Sequence, residues 1–276
     1  MIDTHHHFWH YDARRHGWIP DEMNVIRRDW TPADLRPHLE QHGISGVVSI
    51  EAGTSEDETR FLLEHANAHD FIVGVVGWVD LTADDAGERL DVFRDDPLFV
   101  GTRHVVQAMP DGFLRRDDFN SGMAALAERE LAYDLLIFGR QLTETIGFVD
   151  RHPTARFVLD HLAKPRVDAG EMEPWATHLA ELAKRDHVTC KISGGITEAD
   201  LAWTPDSLRP YLDAALDAFG PNRLMFGSNW PLSEAAGGYG RWLDFVRAWA
   251  SPMSEAEREM LFDSTARSAY RLGDRR

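Results

Sequence analysis

The chain has 276 residues, 43% of them hydrophobic, enough to bury one large core; 29 Lys plus Arg against 46 Asp plus Glu give a formal charge of −17, which repels nucleic acid and anionic membrane surfaces. A single cysteine, Cys190, excludes an internal disulfide framework and a cysteine-held zinc knuckle, so any metal must rest on His and carboxylate. No charged-then-apolar leader opens the chain and no segment approaches about 18 uninterrupted apolar residues, so the expectation is a soluble, cytoplasmic protein without nucleic-acid or membrane partners.

The first element raises a question of its own, because "HHHFW" spans His5 to Trp9. A purification tag carries about six histidines in a polar context; here three are followed at once by Phe8 and Trp9. Read as a strand, Ile2 to Trp9 places His5 and His7 on one face and His6 on the other. Two imidazoles one pleat apart can grip one metal ion or one substrate oxygen. Further short apolar runs follow near 46–53, 71–80, 99–107, 132–138, 156–162, 188–193 and 223–229. Thr31-Pro32 starts a helix before "ADLRPHLEQHG", and Ser55 with Glu58 reads as a capping box before "TRFLLEHANAH". Other helical stretches lie near 117–130, 171–185, 206–219 and 254–272, with Gly43, Gly220 and Gly273 as stops. Eight strands alternating with helices predict an α/β protein, a (β/α)8 TIM barrel in a single domain over 1–276. "AAGGYG" (235–240) follows the eighth strand and has the composition of a substrate-covering loop.

In such a barrel the chemistry sits at the C-terminal ends of the strands, where the polar residues cluster. The first strand offers His5 and His7, the second Glu51, the third Trp78 and Asp80, and the fourth Arg103, His104 and Gln107. The sixth offers His161 and then Lys164, the seventh Lys191, and the eighth Asn229 and Trp230. Taken singly, each is more often a hydrogen-bonded core or rim residue. Together they argue for use, because buried charges cost several kcal/mol unless paired. Parity places Arg103 and Gln107 on one face and His104 on the other, and leaves Cys190 under the helices while Lys191 faces inward. Trp9, Trp18, Trp78 and Trp230 lie near the same end, where flat aromatic faces suit sugar rings.

The stretches "MIDTHHHFW", "SIEAG", "ETRFLLEHA", "GTRHVVQ", "AYDLLI", "FVLDHLAKP", "CKISGG" and "LMFGSNWPL" together resemble the amidohydrolase superfamily, in its amidohydrolase-related (amidohydrolase 2) branch. Within that branch the chain is most similar to bacterial sugar-acid lactonases of the L-fuconolactonase and L-rhamnonolactonase type. The resemblance implies a (β/α)8 barrel, the His-x-His pair at His5 and His7, and the later site histidine at His161. The family usually has Asp after Gly-Ser on the eighth strand; this chain has Asn229.

The expected reaction is therefore the opening of an aldonolactone by an activated water. The catalytic set is His5, His7, His161, Asn229 and Glu51, and the substrate-binding set is Arg103, His104, Gln107, Lys164, Lys191, Trp9, Trp78 and Trp230. One divalent metal, zinc by preference, would rest on His5, His7 and His161, weakly held or absent because an Asn carbonyl is a poorer ligand than a carboxylate. A neutral site His acting as base would make the rate rise through a pKa near 6.5 before its surroundings shift it. The alternatives are a hydrolase or decarboxylase acting on an aromatic-degradation lactone or acid, and a sugar-lactone-binding protein that has lost catalysis through Asn229.

Overall fold

Runs such as "GVVSI" and "IVGVVG" are apolar on both faces, the composition of a parallel strand covered by helices on one side and by its own barrel on the other. The computed structural model describes residues 1–198 and 203–273. In it the eight strands are β1 (Ile2–His6), β2 (Gly46–Ile50), β3 (Ile72–Gly77), β4 (Phe99–His104), β5 (Ala132–Leu135), β6 (Arg156–Leu159), β7 (Val188–Ile192) and β8 (Leu224–Phe226). Each pairs in parallel with the next in chain order. The ring closes past the end of β8, where His6 and Trp230 form a parallel bridge, the His7 amide donates to the Trp230 carbonyl at 2.8 Å and the Asn229 amide donates to the His5 carbonyl at 2.8 Å. The result is the (β/α)8 barrel that the alternation predicts.

The strands stop sooner than the apolar runs do. His7, Glu51, Gln107, His161 and Asn229 all lie beyond the last ladder residue of their strands, so they turn into the mouth of the barrel rather than into its layers. The helices are α1 (Pro32–His42), α2 (Glu56–Ala68), α3 (Ala86–Arg94), α4 (Asp117–Glu128), α5 (Leu142–Arg151), α6 (Trp175–Leu182), α7 (Gly195–Glu198), α8 (Pro205–Phe219), α9 (Gly238–Trp249), α10 (Glu255–Glu259) and α11 (Thr265–Tyr270).

Their start signals act as physical chemistry requires. Asp34 accepts the Thr31 amide at 2.9 Å ahead of Pro32, and Gly43 ends α1 at φ 69°, the left-handed region that costs glycine least. Ser55 accepts the Glu58 amide at 3.2 Å, but Glu58 turns inward to the Ala52 amide at 3.1 Å, so only half of the expected capping box forms. The expected helix over 254–272 is split by a wide turn at Met260–Ser264 and ends at Arg271 rather than Gly273. Ala266, Ala269, Tyr270 and Leu272 pack on inward-facing Ile2, Val48, Val100, Ala132 and Val158. α11 thereby plugs one end of the barrel and leaves the other, the carboxyl end, open. Among the described residues no helix is long and apolar enough to cross a membrane. The parts of the expected 1–276 domain at 199–202 and 274–276 lie outside the described residues.

Candidate active site

A cavity of about 530 Å³ opens at the carboxyl ends of the strands; it is lined by His7, Glu51, Arg103, Gln107, His161, Lys164 and Asn229, together with Trp18, Arg15 and Met23 from the long connection between β1 and α1. His5 lies beneath it, fully buried, its ring centroid 5.0 Å from that of His7 and 4.3 Å from that of His161. The first and sixth strands thus deliver their histidines to one place, together with Asn229 from the eighth.

Below the histidines lies a closed set of charges. Arg103 Nε donates to Glu51 Oε1 at 2.8 Å, Nη2 to the Glu51 carbonyl at 2.5 Å and Nη1 to Asp160 Oδ2 at 3.0 Å. Lys191 Nζ faces three acceptors, Asp134 Oδ2 at 2.6 Å, Asp160 Oδ1 at 2.9 Å and His5 Nδ1 at 3.2 Å. Its hydrogen bonds go to Asp134 and His5 and its contact with Asp160 Oδ1 is one of charge, so the ammonium is held beneath the cavity. The Tyr270 hydroxyl, rising from α11, approaches Asp134 at 2.8 Å. Burial alone would raise the Asp160 carboxyl, but Lys191, His5 and Arg103 hold it well below the usual carboxylate range. Burial pushes Asp134 up to about 6 against the pull of Lys191. Glu51 is likewise raised by burial, with Arg103 opposing.

Desolvation keeps the imidazoles neutral. It is the largest influence on His5, His7 and His161, driving His5 and His161 well below their ordinary value and His7 to about 3. His7 Nδ1 lies 2.9 Å from the Ile50 carbonyl, which can only accept, so the Nδ1 proton is fixed there and Nε2 keeps its lone pair. His161 Nδ1 is 2.8 Å from Ser193 Oγ. His161 to Lys164 all sit at positive φ, between 50° and 57°, a run of strained backbone of the kind that collects at functional sites. Gly194 makes room for it: a Cβ there would lie 2.5 Å from the His161 ring. Asn229 also has positive φ, 55°, which Asn tolerates better than most residues. Its Nδ2 donates to Thr197 Oγ1 at 3.3 Å, and its Oδ1 is buried without a partner among the described residues.

Several expected substrate contacts lie elsewhere. Lys191 faces inward as parity implies, but it is held beneath the cavity by Asp134, Asp160 and His5. His104 faces the helices, with ring centroids 5.5 Å from Trp78 and 5.3 Å from Phe119. Trp78 meets it at a tilt of 38°, outside the cavity lining. Trp230 is fully buried, 5.0 Å from the Trp30 ring and 6.1 Å from the Phe8 ring. Trp9 is buried too, its Nε1 donating to the Arg28 carbonyl at 2.9 Å. These tryptophans fill core because the chain turns back over the strand ends, and only Trp18, 47% exposed, reaches the cavity. The "AAGGYG" stretch does not line it. Tyr239 is pinned by its hydroxyl to Asp3 Oδ2 at 3.1 Å, and Ser233, Ala236 and Tyr239 are buried.

For a metal, the expected set was His5, His7 and His161. Among the described residues the group with donor atoms mutually within 4.8 Å is His5, Asp160 and His161, with Asp160 in place of His7. These donors suit a divalent ion in kind: two neutral imidazoles and one ionised carboxylate. Asp160 Oδ1 contacts Lys191 and lies 3.3 Å from His5 Nδ1 without a directed hydrogen bond, so charge alone holds it. Asp160 and Asp134, both outside the expected site, had one signal: a charged residue inside an apolar strand.

A closed parallel barrel whose mouth gathers neutral imidazoles, ionised carboxylates and captive cations around one cavity has the build of a barrel hydrolase. The sequence matches the amidohydrolase family over residues 2–272. It is 40% identical to the L-fucono-1,5-lactonase of Burkholderia multivorans over 98% of this chain and 96% of that one, and 36% identical to the L-fucono-1,5-lactonase of Burkholderia ambifaria over 98% and 95%. A crystal structure of a Burkholderia multivorans amidohydrolase with bound zinc superposes with a TM-score of 0.94, at 39% identity over 99% of both chains. The chain belongs to the amidohydrolase family.

Proposed function

We propose that this amidohydrolase opens a sugar-acid lactone of the L-fucono-lactone class to the free acid. One observation carries the reading beyond the family. Glu51 Oε2, Gln107 Oε1 and Asn229 Oδ1 are buried acceptors without a partner among the described residues, and all three residues line the cavity. Each such atom costs about 1–3 kcal/mol while unmade, and a polyhydroxylated ring supplies the donors.

In this reading Asn229 Oδ1 and His7 Nε2 hold the attacking water. His7 takes its proton as the water oxygen bonds to the ring carbonyl carbon, and returns it to the ring oxygen when the C–O bond breaks. Arg103, fixed from below by Glu51 and Asp160, offers its second Nη2 proton to the developing oxyanion. The catalytic roles expected of His5 and Glu51 become supporting ones, with His161 beside the reacting carbonyl and Gln107, Lys164 and Trp18 around the sugar. A divalent ion on His5, Asp160 and His161 would add Lewis-acid polarisation of the carbonyl. The neutral Asn229 amide weakens the hold on such an ion relative to the family's usual Asp. Proton release in weak buffer from a panel of L-fucono-, L-rhamnono- and galactono-lactones tests the proposal. Turnover of at least one is expected, and none with any member of the panel would overturn it.

A further inference from the structure

We propose that Lys191 sets the affinity of this chain for a divalent ion, because its ammonium competes with the metal for the same donors. It is a positioning residue that touches no substrate: its Nζ faces Asp160 Oδ1 at 2.9 Å and His5 Nδ1 at 3.2 Å. Those two residues supply two of the three metal donors that the described structure brings together. The other nitrogen of His5 is no freer, since Nε2 lies 3.4 Å from Arg103 Nη1. An ion that bonds to His5 must therefore displace an N–H donor already facing it. It must also accept a positive charge beside it in a fully buried setting, where screening by water is least.

The geometry makes Lys191 the cation that yields or blocks. Arg103 is anchored by three directed hydrogen bonds to Glu51 and Asp160. The Lys191 contact with Asp160 Oδ1 is not a directed bond, although the two atoms are 2.9 Å apart, and its firm attachment is to Asp134 at 2.6 Å. Asp134 is outside the donor group. With Lys191 in place, the ammonium already neutralises Asp160 and caps His5, so part of the work of a metal is done by the chain. Replacing it by a neutral residue frees both donors and leaves an excess of anion, which a divalent ion corrects.

The reading concerns the same site as the lactonase proposal, but its test contains no substrate, so an inactive enzyme and a wrong assignment of Lys191 are told apart. Full-length protein is stripped of metal and titrated with zinc against a chromogenic chelator, for the natural chain, Lys191→Met, Lys191→Arg, Asp134→Asn and the double variant Asp134→Asn/Lys191→Met. The double variant removes one anion with the cation and keeps an acceptor for Tyr270, so it strands less buried charge than Lys191→Met alone. The double variant is expected to bind one zinc at least tenfold more tightly than either the natural chain or Asp134→Asn, and Lys191→Arg to gain nothing. Zinc affinity in the double variant no higher than in the natural chain, or an equal gain from Lys191→Arg, would overturn the proposal.

Discussion

Arg103→Met asks whether the site is built around a captive guanidinium. The side chain makes charge-assisted bonds of 2.8 Å to Glu51 Oε1 and 3.0 Å to Asp160 Oδ2, and one of 2.5 Å to the Glu51 carbonyl; both carboxylates are 0% exposed. Methionine keeps part of the stem volume and removes the charge. Deleting one partner of a buried ion pair costs about 3–5 kcal/mol, and Lys191 still faces Asp160, so the lower end applies, about 3 kcal/mol borne mainly by Glu51. For a chain of this size about 2–4 °C accompanies each kcal/mol, giving a melting temperature lower by about 6–12 °C. Removing the stranded anion as well, in Arg103→Met/Glu51→Leu, should recover at least half of that loss. Thermal and urea denaturation of the two single variants and the double close the cycle. A single Arg103→Met variant that melts within about 2 °C of the natural chain, or a double variant whose loss is the plain sum of the singles, would refute the captive-cation argument. Because Arg103 also borders the cavity, kcat/KM should fall by about 100-fold or more, the usual consequence of losing a preorganised oxyanion donor.

Burial drives His7 to about 3, so the imidazole is neutral throughout the accessible range. His7 should therefore put no inflection in kcat/KM between about pH 5 and 8, and a sigmoid rise between pH 6 and 7 that persists in Asp134→Asn, which removes the carboxyl raised to about 6, would show that the site histidine is not held neutral. Glu58 is pushed up to about 7 by burial, with the neighbouring Glu51 adding to the rise. Ionising it then costs the folded state more than the unfolded one, so stability drains as pH climbs from about 4.5 to 7. Glu58→Gln keeps an acceptor for the Ala52 amide and should stabilise by about 1–2 kcal/mol at pH 8 and by nothing at pH 4; equal effects at both pH values in urea melts would exclude the mechanism. Gly194→Ala meets both a φ of +67° and the His161 ring 2.5 Å from the new Cβ. It should cut kcat/KM at least about 100-fold with the far-ultraviolet circular dichroism unchanged, and a variant of near-natural activity would mean that the position of His161 is not critical.

Much of the architecture was legible because it depends on short-range pattern. Apolar runs of the right length alternating with capped helices specify a closed parallel barrel, and parity alone separated Arg103 from His104 and Lys191 from Cys190. The strand-end rule then brought His7, Glu51, Gln107, His161 and Asn229 to one cavity. Pairing across the barrel was not legible. Lys191 reads as an available cation until Asp134 and Asp160, 57 and 31 positions away in the chain, are placed against it. Tyr270 approaches Asp134 across 136 residues with no local signal at either end. Trp9 and Trp230 were misread for a related reason: aromatic side chains at a strand end face ligand or core according to where the following loop returns. The stretch that supplies Arg15, Trp18 and Met23 to the cavity has neither helical nor strand period to announce it.

The buried charges also connect the site to the direction of the reaction. Arg103 and Lys191 stand against Glu51, Asp134 and Asp160, so with all five ionised and the histidines neutral the network carries one surplus anion. A neutral lactone enters without a charge penalty. Transfer of the water proton to His7 creates a cation that this surplus favours, while Arg103 faces the oxyanion on the other side. The product is different from the substrate in one respect that matters electrostatically: it is a carboxylate. The surplus anion of the buried network, in a chain of net charge −17, repels that product while Arg15 and Lys164 in the cavity lining attract it, and salt screens most the charges near the mouth. Where the buried surplus and the charge of the whole chain dominate, product inhibition by the free acid is weak at low ionic strength and strengthens as salt is added. Inhibition that instead tightens as salt is withdrawn would place the product against a cation that dominates the cavity, with Arg15 and Lys164 as the groups to test.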